Sequence, residues 1–383
     1  MNPARRSLFV SLVALAVAAG ASACGESPEA AAAVTMVSYT PDGSPVLFSA
    51  AGIDVYDQLL KTRIRRISTG QVALPAAASQ SLYSLSADGT TAAIASTPKQ
   101  ETLAVYGNQS RAGVFRIRDG ALLKAFQIRD ATDPTDQLSM LELALSPDGR
   151  LLFASTETYG ARSMVLDATT GAELWAQDGW WSHPIWSADG TTLFATEMDL
   201  SHSLATSLDA LDPTTGALKW RSVLLTYPGG DVTEATGTRL TGLALVGDGT
   251  SLMGSGATVY GSCSLGCGAS FPFWSAATGN LTGELPPQQF VSDPLIYWQF
   301  ACNASDTCVV DMEEQEQLPL RVFKTDGTTL LTAANGNWES PVVSPDGNFV
   351  VITDYGEQAQ LTLRVLSVPD GTIVGSRSFP PLE

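Results

Sequence analysis

Two histidines, five cysteines and 39 acidic residues bound the chemistry open to this chain of 383 residues. His183 precedes Pro184, and His202 lies in a Ser-rich stretch. So few imidazoles leave little room for a His-based metal site or a His-driven nucleophile. The sequence has neither a G-x-S-x-G elbow nor an H-E-x-x-H pair. Asp130-x-x-Asp133-x-x-Asp136 could supply oxygens to Ca2+, although it lacks the full EF-type ligand pattern. With 21 Lys and Arg against 39 Asp and Glu, the formal net charge is -18. That argues against nucleic acid as a partner, because phosphate backbones are bound by clustered cations.

The remaining chemistry is that of sulfur and of export. Arg5 and Arg6 precede an apolar run from Ser7 to Gly20, too short to span a bilayer comfortably. Ala21-Ser22-Ala23-Cys24 then resembles a bacterial lipobox, with Ala21 in place of the usual Leu. The resemblance implies a signal peptide over 1–23, a lipidated Cys24 and a flexible tether over 24–33. Gly25, where an Asp would signal inner-membrane retention, favours the outer membrane. Ala21 and Ala23 also form an A-x-A site, so a secreted soluble chain is the alternative. Four cysteines remain, and in an oxidising compartment they are expected as Cys263–Cys267 and Cys302–Cys308 disulfides. A four-cysteine zinc site is the rival reading, against which neither pair has the usual short finger spacing.

The elements that position these residues come from one repeated signal. TPDG (40–43), SADG (86–89), SPDG (146–149), SADG (187–190), VGDG (246–249), a degenerate ASDT (304–307) and SPDG (344–347) recur about every 51 residues. Pro presets φ, Asp bonds its own backbone, and Gly accepts positive φ, so each is a tight turn. A second turn follows 20 to 30 residues later, as in ATTG (168–171) and PTTG (213–216); the first repeat lacks a clear copy. Short apolar strands flank both turns. Each unit is therefore strand, turn, strand, loop, strand, turn, strand. Seven such units predict an all-β, seven-bladed propeller of four-stranded antiparallel blades over 34–383.

The segments SPDGRLLFAST…MVLDATTGAELW and SADGTTLFAT…DALDPTTGALKW resemble YVTN and quinoprotein-like propeller repeats, with a WD40-like flavour. Trp175 and Trp220 stand four residues after the turn Gly, as in quinoprotein-like repeats. Quinoprotein dehydrogenases commonly carry eight blades and adjacent cysteines, and this chain has neither, so no quinone cofactor is expected. The strand phase places Val34–Tyr39 innermost in blade one and the C-terminal strand outermost in blade seven, giving contiguous blades without strand exchange.

In this frame the tight turns share one face, and the longer, variable connections share the other, where function usually sits. Trp181, Trp298 and Trp338 lie eight residues before their turn Asp, at the entries to inner strands. They either pack between blades or, with Trp180, His183, Tyr227 and Tyr297, form an aromatic rim for a ligand. Glu142, Glu197, Asp199 and Asp354 fall toward the same face, which should be acidic. The expected function is non-enzymatic: a monomeric envelope lipoprotein whose propeller presents this face to a protein or glycan. The alternative is a metal-assisted, lactonase-like hydrolase at the channel mouth.

Overall fold

The computed structural model describes residues 34–49, 52–69, 78–98, 110–128, 139–157, 161–199, 204–226, 236–260, 269–285, 298–312, 320–333, 338–355 and 361–379. Seven antiparallel sheets follow one another along the chain. Blade one is Val34–Tyr39, Pro45–Ser49, Gly52–Tyr56 and Arg63–Ile67, in spatial as well as sequence order. Blade four repeats this with Trp180–Trp186, Leu193–Asp199, Leu204–Leu211 and Leu218–Val223. Blade seven ends the ring with Trp338–Val343, Phe349–Tyr355, Leu361–Ser367 and Ile373–Ser378. Each blade is contiguous in sequence, so the expected seven-bladed propeller without strand exchange is what the chain forms. Blade five departs from four strands. Leu225–Thr226 adds a fifth beside its long inner strand Thr236–Val246, pairing Leu225 with Gly237 and Thr226 with Thr236.

The burial pattern explains why the strands read as nearly continuous apolar runs. A blade is sandwiched between two neighbours, so both faces of its middle strands are covered. Pro45–Ser49 and Gly52–Tyr56 are buried at every residue, whereas the outermost Arg63–Ile67 is mostly exposed. Among the described residues seven apolar clusters form, one at each junction of neighbouring blades. The cluster that closes the ring sets Val37, Leu47, Tyr56 and Leu60 of blade one against Val351, Leu361, Leu363 and Val365 of blade seven.

The turns are local hydrogen-bond devices. In blade three Ser146 Oγ donates to Asp148 Oδ1 at 2.7 Å and accepts from Leu151 N at 2.9 Å. Ser86, Ser187 and Ser344 do the same with Asp88, Asp189 and Asp346. The Ser187 hydroxyl and the Thr191 N–H hold the Asp189 carboxyl down at about 2. Blade six replaces Ser by Asn303, whose Oδ1 accepts from Ser305 N and Thr307 N. Blade one has the second turn that the sequence concealed: Asp57 N bonds Thr62 O, and Asp57 accepts from Lys61 N and Thr62 N. Leu60 takes φ 59° there, without a glycine to mark the turn.

The second turns also lock neighbouring blades together. Trp175 Nε1 reaches across from blade three to Pro213 O at 2.9 Å, and Trp220 Nε1 from blade four to Ala276 O at 3.1 Å. Each indole lies on a turn glycine of the next blade. A Cβ on Gly216 would sit 2.8 Å from Trp175 Cδ2, and one on Gly279 2.3 Å from Trp220 Cε3. Arg65 fills the same structural position in blade one, where its Nη1 donates to Ile117 O at 2.7 Å. In blade six the position holds Leu331, whose Cδ1 is 2.8 Å from where a Gly371 Cβ would be. In blade seven it holds Gly375, which brings backbone against backbone, since a Cβ there would lie 2.3 Å from Leu59 O.

Cys302 and Cys308 are joined by a disulfide at the base of the blade-six hairpin, with Cα atoms 4.0 Å apart. They are register partners across Trp298–Cys302 and Thr307–Met312. Cys263 and Cys267 lie outside the described residues. Replacing Cys302 and Cys308 together by Ser is expected to cost about 2 kcal/mol, the loop-entropy figure for so short a closure. Urea unfolding of the variant checks this; an unchanged midpoint would show that the hairpin is held without the bond.

Candidate binding site at the mouth of the central channel

The inner strands do not run straight to the channel mouth. In six blades their pairing with the second strand slips, at Thr35, Ser79, Leu141, His183–Pro184, Thr241 and Ser340–Pro341. Blade six keeps regular register. A bulge leaves backbone groups without ladder partners, and buried polar groups need a substitute. In blade four the second strand supplies one. Ser49, Ser96, Ser155, Thr196, Ser255 and Thr353 are all buried at equivalent places, seven or eight residues after the turn Asp. Thr196 Oγ1 donates to the Ser182 carbonyl at 3.1 Å, inside the bulge, while Thr241 Oγ1 donates to the Ser255 carbonyl at 3.2 Å. The signal for this ring was present as a fixed-offset Ser or Thr, but apolar strand patterning hides it.

Blade four carries the most elaborate bulge. His183 adopts φ 53°, a left-handed conformation that costs a non-glycine residue energy. Its Nδ1 lies 3.1 Å from Thr196 Oγ1. Its backbone N–H points at Glu142 Oε1 of blade three at 3.4 Å, and the Ser182 hydroxyl donates to the same oxygen at 2.5 Å. On the other side the imidazole faces the backbone of Thr241 in blade five, which favours its charged form. Glu142 thus ties blade three to Ser182 and His183 of blade four, with Thr241 of blade five facing the imidazole. Burial pushes the His183 imidazole below its ordinary 6.5, against the opposing pull of Glu142 and the Thr241 backbone.

That shift has a sign that can be tested. Between the folded-state value and 6.5, the unfolded chain binds a proton that the folded chain refuses. Stability therefore rises with pH across this window and is lost as pH falls below 6.5. His183→Asn keeps a residue that tolerates the left-handed region and removes the titration. Wild type is expected to lose more stability than this variant between about pH 7.5 and about pH 5. Equal losses in urea titrations would assign the acid sensitivity to other groups.

The tryptophans divide. Trp181 is 5% exposed and lies in the cluster between blades three and four with Phe153, Val165, Trp175 and Trp186. Its Nε1 donates to Asp209 Oδ2 at 3.1 Å. Of the two readings open for this residue, packing between blades is the one the structure carries, because the ring is spent inside the protein. Trp180, its neighbour at the strand entry, is partly exposed, and its Nε1 is enclosed without a hydrogen-bond partner. Trp298 and Trp338 open the inner strands of blades six and seven, paired with Met312 and Asp354. Their side chains lie outside what is described, as do Tyr227, Tyr297, Asp130, Asp133, Asp136 and His202. The structure therefore brings His183 together with Glu142 and Thr241, a constellation that sequence spacing did not identify.

Beneath Trp181 sits a charged network. Asp209 is fully buried and receives Arg221 through Nε at 2.8 Å and Nη2 at 2.6 Å. Ser207 Oγ donates to Asp209 Oδ1, and Arg221 Nη2 also meets Glu197 Oε2 at 2.8 Å. Arg364 pairs with Asp354 in blade seven at 2.5 Å. So two of the carboxylates expected to make an acidic face, Glu197 and Asp354, are matched by arginines of their own blades. Among the described residues, no three His, Cys, Asp or Glu side chains converge as a metal site would require.

No family model matches the sequence, and no curated protein resembles it in sequence. The fold has many solved counterparts. The Cps50 (Swd1) β-propeller domain of Myceliophteria thermophila aligns with TM-score 0.57 at 12% identity, over 86% of this chain and 95% of that one. A chain of a mitotic checkpoint complex aligns with TM-score 0.52 at 10% identity, over 90% and 96%. BamB from Moraxella catarrhalis aligns with TM-score 0.49 at 14% identity, over 90% and 88%. At these identities the likeness is one of fold: the chain is a seven-bladed β-propeller with WD40-like counterparts.

Proposed function

We propose that this chain is an exported lipoprotein that binds a partner, protein or glycan, at the channel-mouth face of its propeller. The observation that carries the reading is the three-blade constellation of Glu142, Ser182, His183 and Thr241 beside the unpartnered Trp180 indole. It sets a carboxylate, hydroxyls, an imidazole and the partly exposed Trp180 ring on a scaffold held by hydrogen bonds. Such preorganisation lowers the ordering cost of binding. Indole is also a favoured anchor where one edge must remain polar. The lipobox-like Ala21-Ser22-Ala23-Cys24 supplies the anchor in this reading. The expected seat is the outer membrane.

Two measurements test it. Mass spectrometry of the mature chain should find residue 24 as an acylated N-terminus, with Cys24→Ala abolishing membrane association; an unmodified chain starting at 24 would establish plain secretion. Affinity purification from detergent-solubilised envelopes should recover a stoichiometric partner with wild type. Trp180→Ala/Glu142→Gln, still folded, should lose it. Equal recovery by both would remove this face from the binding role.

A further inference from the structure

The tight-turn face, opposite the channel mouth, is not uniform. A groove of about 800 Å³ opens there between blades one and two. Its apolar lining includes Val55, Ile64, Ile117 and Leu123, and Arg65, Arg116 and Arg118 stand along it. Ile64 is 57% exposed in an outermost strand. The Arg118 side chain is 79% exposed, and its nearest carboxylate, Asp119 at 3.8 Å, already takes a 2.8 Å bond from Arg116. Asp42 and Asp88 also border the groove. Their carboxylates are engaged by their own turns, through Thr40 and Ser44 in one case and Ser86 and Thr90 in the other.

This groove lies in the basic part of an acidic protein. Residues 34–129 hold ten Lys and Arg against six Asp and Glu, whereas residues 130–383 hold nine against 31. Such segregation has no role in closing the ring, because an apolar cluster joins neighbouring blades at every junction. It leaves this sector with a formal excess of cations, and such an excess favours anionic partners.

We propose that the groove between blades one and two is a docking site for an acidic polypeptide segment that carries aliphatic side chains. The chemistry selects that occupant. Arginines take carboxylates in planar, charge-assisted pairs. The exposed Ile64 and partly exposed Leu123 take aliphatic groups, which an anionic glycan lacks. The site is an open groove, along which an extended chain can lie.

The test uses the folded propeller and a fluorescent peptide alternating Glu and Leu, read by anisotropy. Binding should weaken steeply with added salt. It should fall by about tenfold or more when Glu is replaced by Gln in the peptide, the loss of one good ionic contact. Arg118→Glu and, separately, Ile64→Ser should weaken it comparably, and thermal unfolding of each variant should match wild type, since both side chains are largely exposed. Unchanged affinity in both variants would overturn the proposal. So would binding of heparin or of anionic phosphatidylglycerol vesicles with none of the peptide. Concentration-dependent self-association lost in Arg118→Glu, again without peptide binding, would replace it with a second copy of this chain.

Discussion

Arg221→Met is expected to destabilise the ring by about 3 kcal/mol, at the lower end for breaking a buried ion pair. The reason is asymmetric burial. Asp209 is 0% exposed, whereas the Arg221 side chain is 41% exposed and bridges Asp209 to Glu197. Without the guanidinium, the Asp209 carboxylate keeps only the Trp181 N–H and the Ser207 hydroxyl. Those are neutral donors facing a full negative charge in a dry site, and desolvation then dominates. Adding Asp209→Asn to Arg221→Met should recover about 1 kcal/mol or more, because a neutral amide still accepts from the indole. Urea unfolding of wild type, single and double variants gives the comparison. A single variant as stable as wild type, or a double variant less stable than the single, would show that the network does not depend on the arginine's charge.

Trp175→Ala is expected to cost about 3–5 kcal/mol, the usual range for deleting a buried tryptophan. Trp175 is 7% exposed and does two things at the junction of blades three and four. It fills the space against Gly216, and its Nε1 bonds Pro213 O. Trp175→Phe separates these contributions. It keeps most of the apolar area and removes the donor, leaving Pro213 O unpaired, for about 1 kcal/mol. Gly216→Ala probes the same contact from the other side. The glycine has φ +71° and no room for a Cβ beside the indole. Its substitution should therefore cost the left-handed penalty of about 1–2 kcal/mol plus the displacement of the ring. In a Trp175→Ala background the backbone penalty and the smaller displacement of Gln177, whose Nε2 is also 2.8 Å from the Cβ position, should remain. Strictly additive losses in that double-mutant cycle would mean that the indole and the glycine do not act as a unit.

How far the sequence reached can be judged from particular residues. Ser146, Asp148 and Gly149 build their turn from atoms no more than five residues apart, so the motif and its structure coincide. The same holds for Asp212 with Thr214 and Thr215 at the second turn of blade four. Where the local code degenerates, reading fails locally and the fold persists. Asp57–Thr62 makes its turn without glycine, and Leu60 bears the strain inside the cluster that closes the ring. The docking position four residues after the turn glycine was visible as Trp175 and Trp220. Its occupation by Arg65, Leu331 and Gly375 was not, because these share no chemistry and are recognised only by what they touch.

The site was less legible than the ring. Trp181 and Trp180 are adjacent and chemically identical, yet one points into the blade junction toward Asp209 and the other lies at the strand entry. Strand alternation assigns them opposite faces. Which face is interior depends on the neighbouring blade. Glu142, His183 and Thr241 are separated by 41 and 58 positions, and a bulge rather than a motif turns the histidine toward its partners. The sequence by itself determined the number of blades, their contiguity and the face that carries the turns, because those follow from hydrogen bonds made within a few residues. Only the tertiary structure decided which polar groups meet at the channel and which arginines border the groove. Those contacts join blades distant in sequence, and their register is set by packing between sheets.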